Sequence, residues 1–276
     1  MTVEGSRSAT SRVAASTADM IRIPGGMFRM GSDRHYPDEA PAHTVAVDGF
    51  WIDATPVTNA QFRAFVQATN YVTWAEIAPD PKDYPGALPK MLTAGGLAFT
   101  PPAKAVDLAD FSQWWRFTFG ATWRRPYGKG SHIGGLDDHP VVQVAFKDAE
   151  AYARWAGKEL PTEAEWEFAA RGGLDGAEFA WGDEFTPGGR HLANTWQGNF
   201  PHENLRIDGW LRTSPVRAFP PNGYGVHDMI GNVWEWTTDW YSTRHEADAA
   251  KACCVPVNPR GAGPDGSHDP RQKGAR

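Results

Sequence analysis

The sequence has little cysteine. Its 276 residues include two cysteines, and these are the adjacent Cys253 and Cys254. Two neighbouring thiols cannot form the disulfide framework of a small secreted protein, and a bridge between adjacent cysteines requires a strained ring. We therefore expect two reduced thiols near a surface loop, and we keep a redox or metal role for the pair as the alternative.

Long hydrophobic runs are also absent. No apolar stretch approaches the ~18 residues of a membrane-spanning helix, and residues 1–20 are small and polar, without the apolar centre of a secretory signal. We expect a cytoplasmic protein with no membrane partner and with a disordered leader over residues 1–19. The formal net charge of -6 and the lack of a basic cluster argue against a nucleic-acid partner.

Tryptophan, glycine and proline, by contrast, are abundant, with 13, 29 and 22 residues respectively. Glycine and proline divide a chain into short elements joined by turns. Tryptophan rings supply large buried areas and N–H groups that need partners. This composition favours a loop-rich fold around bulky rings over a helix bundle or a doubly wound sheet.

Alternating patterns predict a few short strands. Residues 21–30 and 43–52 are expected to form a strand pair, with a turn at Pro24-Gly25-Gly26 in the first segment. A further buried strand is predicted at residues 141–146. Residues 73–130 contain many prolines and are predicted to form a long irregular insertion, and long ordered loops are often functional.

Three short helices are predicted between these segments. Thr58 with Gln61, and Thr162 with Glu165, have the spacing of capping boxes, in which a side chain and a backbone N–H satisfy each other at a helix start. A third helix is predicted over residues 148–155. Short helices among short strands and long loops indicate an α+β fold.

Several motifs then match a known family: Ile23-Pro24-Gly25-Gly26-Met27-Phe28, Pro56-Val57-Thr58-Asn59, Asp138-His139-Pro140, Leu160-Pro161-Thr162-Glu163-Ala164-Glu165-Trp166-Glu167, Asn222-Gly223-Tyr224-Gly225 and Gly231-Asn232-Val233-Trp234-Glu235-Trp236. On these residues the chain resembles the formylglycine-generating, or sulfatase-modifying, enzymes along nearly its whole length. The block from Ala193 to Trp210 and the insertion with Trp114-Trp115 resemble formylglycine-generating enzymes more than other members of the superfamily.

The resemblance implies one domain, over residues 20–257, with a fold related to C-type lectins, little regular secondary structure and an incomplete C-terminal end. It implies oxidation, with O2, of the cysteine in a Cys-x-Pro-x-Arg motif of an unfolded sulfatase polypeptide to Cα-formylglycine, by a monomer. The polar tail at residues 258–276 has no Val, Leu, Ile, Phe, Met or Trp. Because such a stretch cannot bury apolar surface, we expect it to be disordered.

The resemblance also implies two structural Ca2+ sites, and calcium prefers six to eight oxygen ligands. Carried over by position, the first site comprises Asn194, Thr195, Asp208 and Trp210. The second comprises Asp228, Gly231, Val233 and Glu235. From the residues alone, acidic side chains in such loops are more often solvated or cap a turn.

In this family the oxidation uses Cu(I) held by two cysteine thiolates, which are soft ligands that suit this ion. The family pattern Gly-Gly-Ser-x-x-Cys-x-x-x-x-Cys does not occur in these 276 residues, and Cys253 and Cys254 have a different spacing. We therefore expect no catalytic residue among them and no activity of these residues alone. Trp234 resembles a residue that lines the family's substrate pocket, with a core tryptophan as the alternative. Gln143 and Arg125 stand where relatives often carry histidine.

Two other functions stay open. A chain with this fold and without the cysteine pair would bind a sulfatase peptide and leave it unmodified. Another oxidase of the same superfamily, such as a pyoverdine-maturation protein, is the second alternative.

Overall fold

The structure is a computed structural model, and it describes residues 17, 19–243, 245, 255–264, 267–269 and 272–273. Most of the predicted leader, together with Cys253 and Cys254, lies outside the described residues. None of the described helices is long and apolar enough to cross a membrane.

Four short strands form the N-terminal part: β1 (Met20–Ile23), β2 (Gly26–Met30), β3 (His43–Val47) and β4 (Phe50–Asp53). β1 pairs with β4 and β2 pairs with β3, both antiparallel, so the predicted strand pair is confirmed. The turn through Gly25, which has φ 76°, divides the predicted strand pair into two small sheets. A Cβ at Gly25 would lie 2.6 Å from the carbonyl oxygen of Val47, so only glycine fits this turn.

Helix α1 (Asn59–Thr69) begins and ends as predicted. The Thr58 hydroxyl accepts the N–H of Gln61 at 3.3 Å, and the Gln61 side chain accepts the N–H of Thr58 at 2.8 Å. Asn70 ends the helix in the left-handed conformation. The capping box therefore fixes the helix start by local chemistry alone.

Two further helices follow, α2 (Phe146–Trp155) and α3 (Glu163–Arg171), and both agree with the predicted helices. The strand predicted at residues 141–146 is wrong. Gln143 has φ 60°, which interrupts an extended chain, and the segment then enters α2 at Phe146.

The insertion at residues 73–130 is more regular than predicted. It contains a hairpin of β5 (Gly95–Phe99) and β6 (Trp115–Phe119), paired over five positions. Opposite residues of an antiparallel pair share a face, so the large apolar residues at alternate positions of the two strands lie together. No strand was predicted here from the sequence. The alternation of Trp115, Phe117 and Phe119 is a strand signal and could have predicted one.

Two clusters of buried side chains hold the fold together. In the first, side chains of β2 and β3 pack against α3 and against Val226 and Met229. In the second, Phe62 and Phe65 of α1 pack around Trp123 of the insertion. Tyr152 of α2 contacts both phenylalanine rings, with ring centroids 5.9 Å and 5.7 Å apart. Trp123 therefore anchors the insertion in the core.

The described part of the predicted disordered tail instead packs on the domain. Ala46 donates to the carbonyl of Pro256, and Asn258 donates to the carbonyl of Ala46, each at 2.8 Å. The side chains of Asn258 and Asp48 also bond at 2.8 Å. The absence of apolar residues suggested that this segment is disordered. Backbone hydrogen bonds hold it instead of apolar contacts. Two short strands follow, β7 (His268–Asp269) and β8 (Gln272–Lys273).

The carboxylate of Asp148, which is 0% exposed, ties the insertion to α2. It accepts hydrogen bonds from the N–H of Ala145 at 2.8 Å, the N–H of Trp74 at 3.0 Å and the hydroxyl of Tyr71 at 3.1 Å. Burial and the nearby Asp148 charge raise the pKa of Tyr71 to about 12, so this phenol keeps its proton for the bond.

We predict that Asp148→Ala lowers the free energy of unfolding by about 3 kcal/mol, because three donors lose a buried, charged acceptor. Urea unfolding followed by circular dichroism measures this change. The matched control is Asp83→Ala in an exposed turn, for which we expect a change within about 0.5 kcal/mol. Equal stability of the two variants would contradict the assigned role of Asp148.

Candidate functional site

A cavity of about 1490 Å³ opens between the hairpin, the first turn of α3 and the segment of residues 229–242. Residues 256 and 259–262 complete its wall. Its size is more than a small molecule needs, since ligand pockets for drug-sized molecules range over ~300–1,000 Å³. An extended peptide fits a cavity of this kind.

One wall of the cavity is aromatic. Leu97, Phe99 and Trp115 come from the hairpin, and Trp234 faces them from the other side of the opening. The rings of Trp115 and Trp234 have centroids 5.8 Å apart, and Trp234 is 90% exposed. The residue predicted for the substrate pocket therefore lines the cavity and is not a core tryptophan.

The opposite wall is acidic. Asp239 is 6% exposed and accepts hydrogen bonds from the N–H of Glu163 at 2.7 Å and from Arg260 Nε at 2.8 Å. Glu163 also lines the cavity. Burial, together with the charges of Glu167, Asp239 and Asp38, raises the pKa of Glu163 to about 7. Because Arg260 already pairs with Asp239, the charge of this wall that a further cationic group would stabilise is that of Glu163.

Two histidines lie beside this acidic wall. The rings of His43 and His245 have centroids 4.7 Å apart, and both residues line the cavity. The pKa of His245 lies below its ordinary value, first because of burial and then because of the neighbouring His43, while the charge of Asp38 raises it. His245 therefore stays neutral more readily than free histidine.

Helix α3 holds the segment that supplies most of this site. At its start, Thr238 donates to the carbonyl of Pro161 at 2.8 Å. In its middle, the Trp166 indole donates to the Glu235 carboxylate at 2.7 Å. At its end, the Asn222 side chain donates to the carbonyl of Ala169 at 2.7 Å. Residues 222–239 are thus fixed along the whole length of the helix.

The first predicted oxygen set is brought together. The Asp208 carboxylate accepts the N–H of Thr195 at 3.2 Å and the N–H of Trp210 at 2.9 Å. The Gln197 side chain bonds both to Asp208, at 2.8 Å, and to the carbonyl of Thr195. A carboxylate oxygen and a carbonyl oxygen therefore converge on one amide nitrogen. Asn194 lies beside them and donates to the carbonyl of Arg212 at 2.7 Å.

The second predicted set surrounds a pair of carboxylates. The pKa of Asp228 is raised, mainly by burial, and the pKa of Glu235 is raised to about 7 by burial with a further contribution from the Asp228 charge. Gly231 has φ 77°, and a Cβ there would lie 2.3 Å from the carbonyl oxygen of Asn194. The two predicted sets are therefore in contact, through Gly231 and Asn194.

Both sets consist of hard oxygen donors. In the second set, the charges of His227 and Arg217 lower the pKa of Asp228 but do not cancel the rise that burial causes. Both sets fit Ca2+ on these grounds. Cu(I) does not fit the described residues, because none of them is a cysteine. Nor do His, Cys, Asp or Glu side chains gather in a group of three or more that would hold a metal ion by themselves, within the part of the chain that the structure describes.

Sequence reasoning missed the acidic wall and the hairpin face. The sequence places Glu163 within a family motif and gives it no role of its own, and nothing in the sequence singles out Asp239. Their contact joins residues 76 positions apart, and no local pattern signals it. Gln143 was noted for its position, but not for the hydrogen bonds that it makes to the hairpin.

Comparisons with known proteins agree with the motifs. The model of the sulfatase-modifying factor enzyme 1-like domain matches residues 6–267. The formylglycine-generating enzyme of Mycobacterium tuberculosis is 56% identical over 240 residues, which are 87% of this chain and 80% of that protein. The inactive C-alpha-formylglycine-generating enzyme 2 of Bos taurus is 44% identical over 230 residues, 82% of this chain and 72% of that protein.

A solved structure shares the fold. That of PvdO from Pseudomonas aeruginosa has a TM-score of 0.55 and 26% sequence identity, and the match covers 88% of this chain and 80% of that one. The predicted α+β fold with little regular secondary structure is confirmed by this similarity and by the short elements described above.

The raised pKa of Glu163 predicts a pH-dependent stability. Because the folded state holds this proton more tightly than the unfolded chain, the contribution of Glu163 falls as pH rises from about 4.5 to about 7. We predict that Glu163→Gln raises the melting temperature at pH 8 and changes it little at pH 4.5.

Thermal unfolding of the variant and of the original protein at both pH values checks this. The matched control is Glu159→Gln, an exposed residue outside the cavity wall, which should show no such difference between the two pH values. The prediction fails if Glu163→Gln and Glu159→Gln behave alike.

Proposed function

We propose, from the premise that this chain belongs to the sulfatase-modifying factor 1-like family, that it serves the formylglycine-generating reaction of sulfatase maturation. The substrate is an unfolded sulfatase polypeptide with the motif Cys-x-Pro-x-Arg. Its cysteine side chain is oxidised to the aldehyde of Cα-formylglycine, and O2 is the oxidant.

The identity of 56% to a formylglycine-generating enzyme, over 87% of this chain, is the observation that carries the proposal. The cavity supports it physically. An aromatic wall offers an apolar surface to the proline of the motif. Glu163, on the acidic wall, offers charge to its arginine. Trp234, at the opening, is the residue that we propose for contact with the substrate.

The described residues supply recognition in this proposal: they bind the peptide, orient it and remove it from bulk water. In the family, Cu(I) bound by two cysteines supplies the chemistry with O2. We derive no step through copper, because no described residue is a thiol that would hold it. The assignment of copper to this protein is a proposal that requires a cysteine pair with the family's spacing.

The second candidate function is binding of a sulfatase peptide without oxidation. One observation favours it: the chain is 44% identical to a relative that is named inactive. The third candidate, a superfamily oxidase with another substrate, shares the fold with PvdO but has less identity to support it.

We predict that residues 1–276 alone bind a peptide with the motif Cys-x-Pro-x-Arg and, with Cu(I) and O2 present, leave its cysteine unmodified, because the family's cysteine pair is not among them. Calorimetry measures binding, and mass spectrometry measures conversion to the aldehyde. Trp234→Ala should weaken binding about tenfold, since an exposed aromatic contact is lost. Trp51→Ala, on the exposed side of β4, is the matched control.

Binding without conversion supports recognition by these residues, as both sulfatase-related functions require. Conversion would locate the oxidation within them and overturn our assignment of the chemistry. If the peptide does not bind, both sulfatase-related functions are contradicted.

We also propose that two Ca2+ ions bind the two oxygen sets. Asn194 and Asp208, with the carbonyls of Thr195 and Trp210, would hold one ion. Asp228 and Glu235, with the carbonyls of Gly231 and Val233, would hold the other. A cation at the second set would stabilise the charged forms of two carboxyl groups whose pKa values are raised mainly by burial.

We predict that a chelator lowers the melting temperature and that Asp208→Ala and Asp228→Ala each remove one of two bound calcium ions. Ligands that bind only the folded state stabilise it by ~2.7 kcal/mol at a hundred times their Kd. Elemental analysis and thermal unfolding measure the two effects, with Asp83→Ala as the control. A folded, metal-free protein with an unchanged melting temperature refutes both calcium sites.

A further inference from the structure

Gln143 adopts an unusual backbone conformation beside the cavity. Its φ of 60° lies in the left-handed region, which is unfavourable for a residue with a side chain. Such strain persists where surrounding contacts compensate for it, and it often occurs at functional sites. The residue also lines the cavity.

The compensating contacts come from the side chain. Gln143 Nε2 donates to the carbonyl of Leu97 at 2.8 Å and to the carbonyl of Pro126 at 2.9 Å. Both hydrogens of one amide are therefore used on two different segments, the strand β5 and the loop that follows β6. A side chain with one donor, or with none, cannot make both bonds.

Gly96 is matched to this amide. A Cβ at Gly96 would lie 2.3 Å from Gln143 Oε1, closer than any real contact. The amide therefore occupies the space that a side chain on β5 would take. Gln143 cannot give way without breaking its two hydrogen bonds, so Gly96 and Gln143 form one interlocked pair.

The strand held in this way carries the aromatic wall. Leu97 and Phe99 of β5 face the cavity, and Phe99 is paired across the hairpin with Trp115. Trp115 in turn contacts Trp234, with ring centroids 5.8 Å apart. A shift of β5 would therefore change the distance between Trp115 and Trp234.

We propose that Gln143 is a positioning residue that fixes the β5–β6 hairpin and thereby sets the width of the aromatic wall that receives the substrate. The part that concerns the substrate rests on the proposed function. The part that concerns the hairpin does not, because it follows from the contacts of Gln143 alone.

The test compares Gln143→Glu, which keeps the size and loses both donors, with Gln67→Glu on the exposed face of α1. The first readout is a near-ultraviolet circular dichroism signal. The part of this signal that is lost in the Trp234→Phe variant reports the Trp115–Trp234 contact. The second is the affinity for a Ser-x-Pro-x-Arg peptide, which cannot be oxidised. Both are measured well below the melting temperature, so that a loss of stability alone moves neither.

We expect Gln143→Glu to lose the tryptophan signal and to bind the peptide about tenfold more weakly, from two hydrogen bonds lost. Gly96→Ala, which displaces the amide from the other side, should do the same. Gln143→His, which keeps an N–H donor, should restore part of both. Gln67→Glu should match the original protein.

An unchanged signal in both Gln143→Glu and Gly96→Ala overturns the inference. So does a lost signal with unchanged peptide affinity, because the wall would then not limit binding. If the original protein does not bind the peptide, the proposed function fails, and the tryptophan signal alone decides whether Gln143 positions the hairpin.

Discussion

The hydrogen bonds between α3 and residues 222–239 are the constraint on which the site depends. The helix is bonded to this segment at its start, in its middle and at its end, through Pro161, Trp166 and Ala169. The segment has no helix or strand of its own among the described residues, so it has no internal ladder to fix its shape. Hydrogen bonds to the helix fix the shape of the segment instead. They hold its carboxylates and tryptophans in positions as definite as those of the helix.

This arrangement explains how a loop-rich chain builds a large cavity. One wall belongs to the loop on α3, and the other belongs to the hairpin of the insertion, which Trp123 anchors in the second core cluster and Gln143 ties to the cavity edge. The aromatic surface therefore forms between two elements that are positioned independently. The acidic wall forms where the first turn of α3 meets Asp239, and the apolar and charged surfaces face one opening. An unfolded polypeptide with a proline and an arginine near its cysteine matches that pattern of surfaces.

The helices could be predicted from the sequence because their start signals are local. Thr58 with Gln61, and Thr162 with Glu165, each close a capping box within four residues. The strand at residues 141–146 was predicted wrongly because a positive φ at Gln143 depends on bonds to Leu97 and Pro126, which no window around Gln143 contains. The acidic wall and the packing of Asn258 on β3 are non-local for the same reason. The residues of the candidate site were reached through family resemblance, and physical patterns alone favoured a solvated role for them.

The central claim is that the segment held by α3 and the hairpin opposite it together receive the substrate peptide. Hydrogen–deuterium exchange of the backbone amides, measured with and without a Ser-x-Pro-x-Arg peptide, tests it most directly. The account predicts slower exchange with peptide at residues 95–99, 115–119 and 230–236, and no change in α1. Protection confined to other regions, with these three segments unaffected by bound peptide, would contradict it.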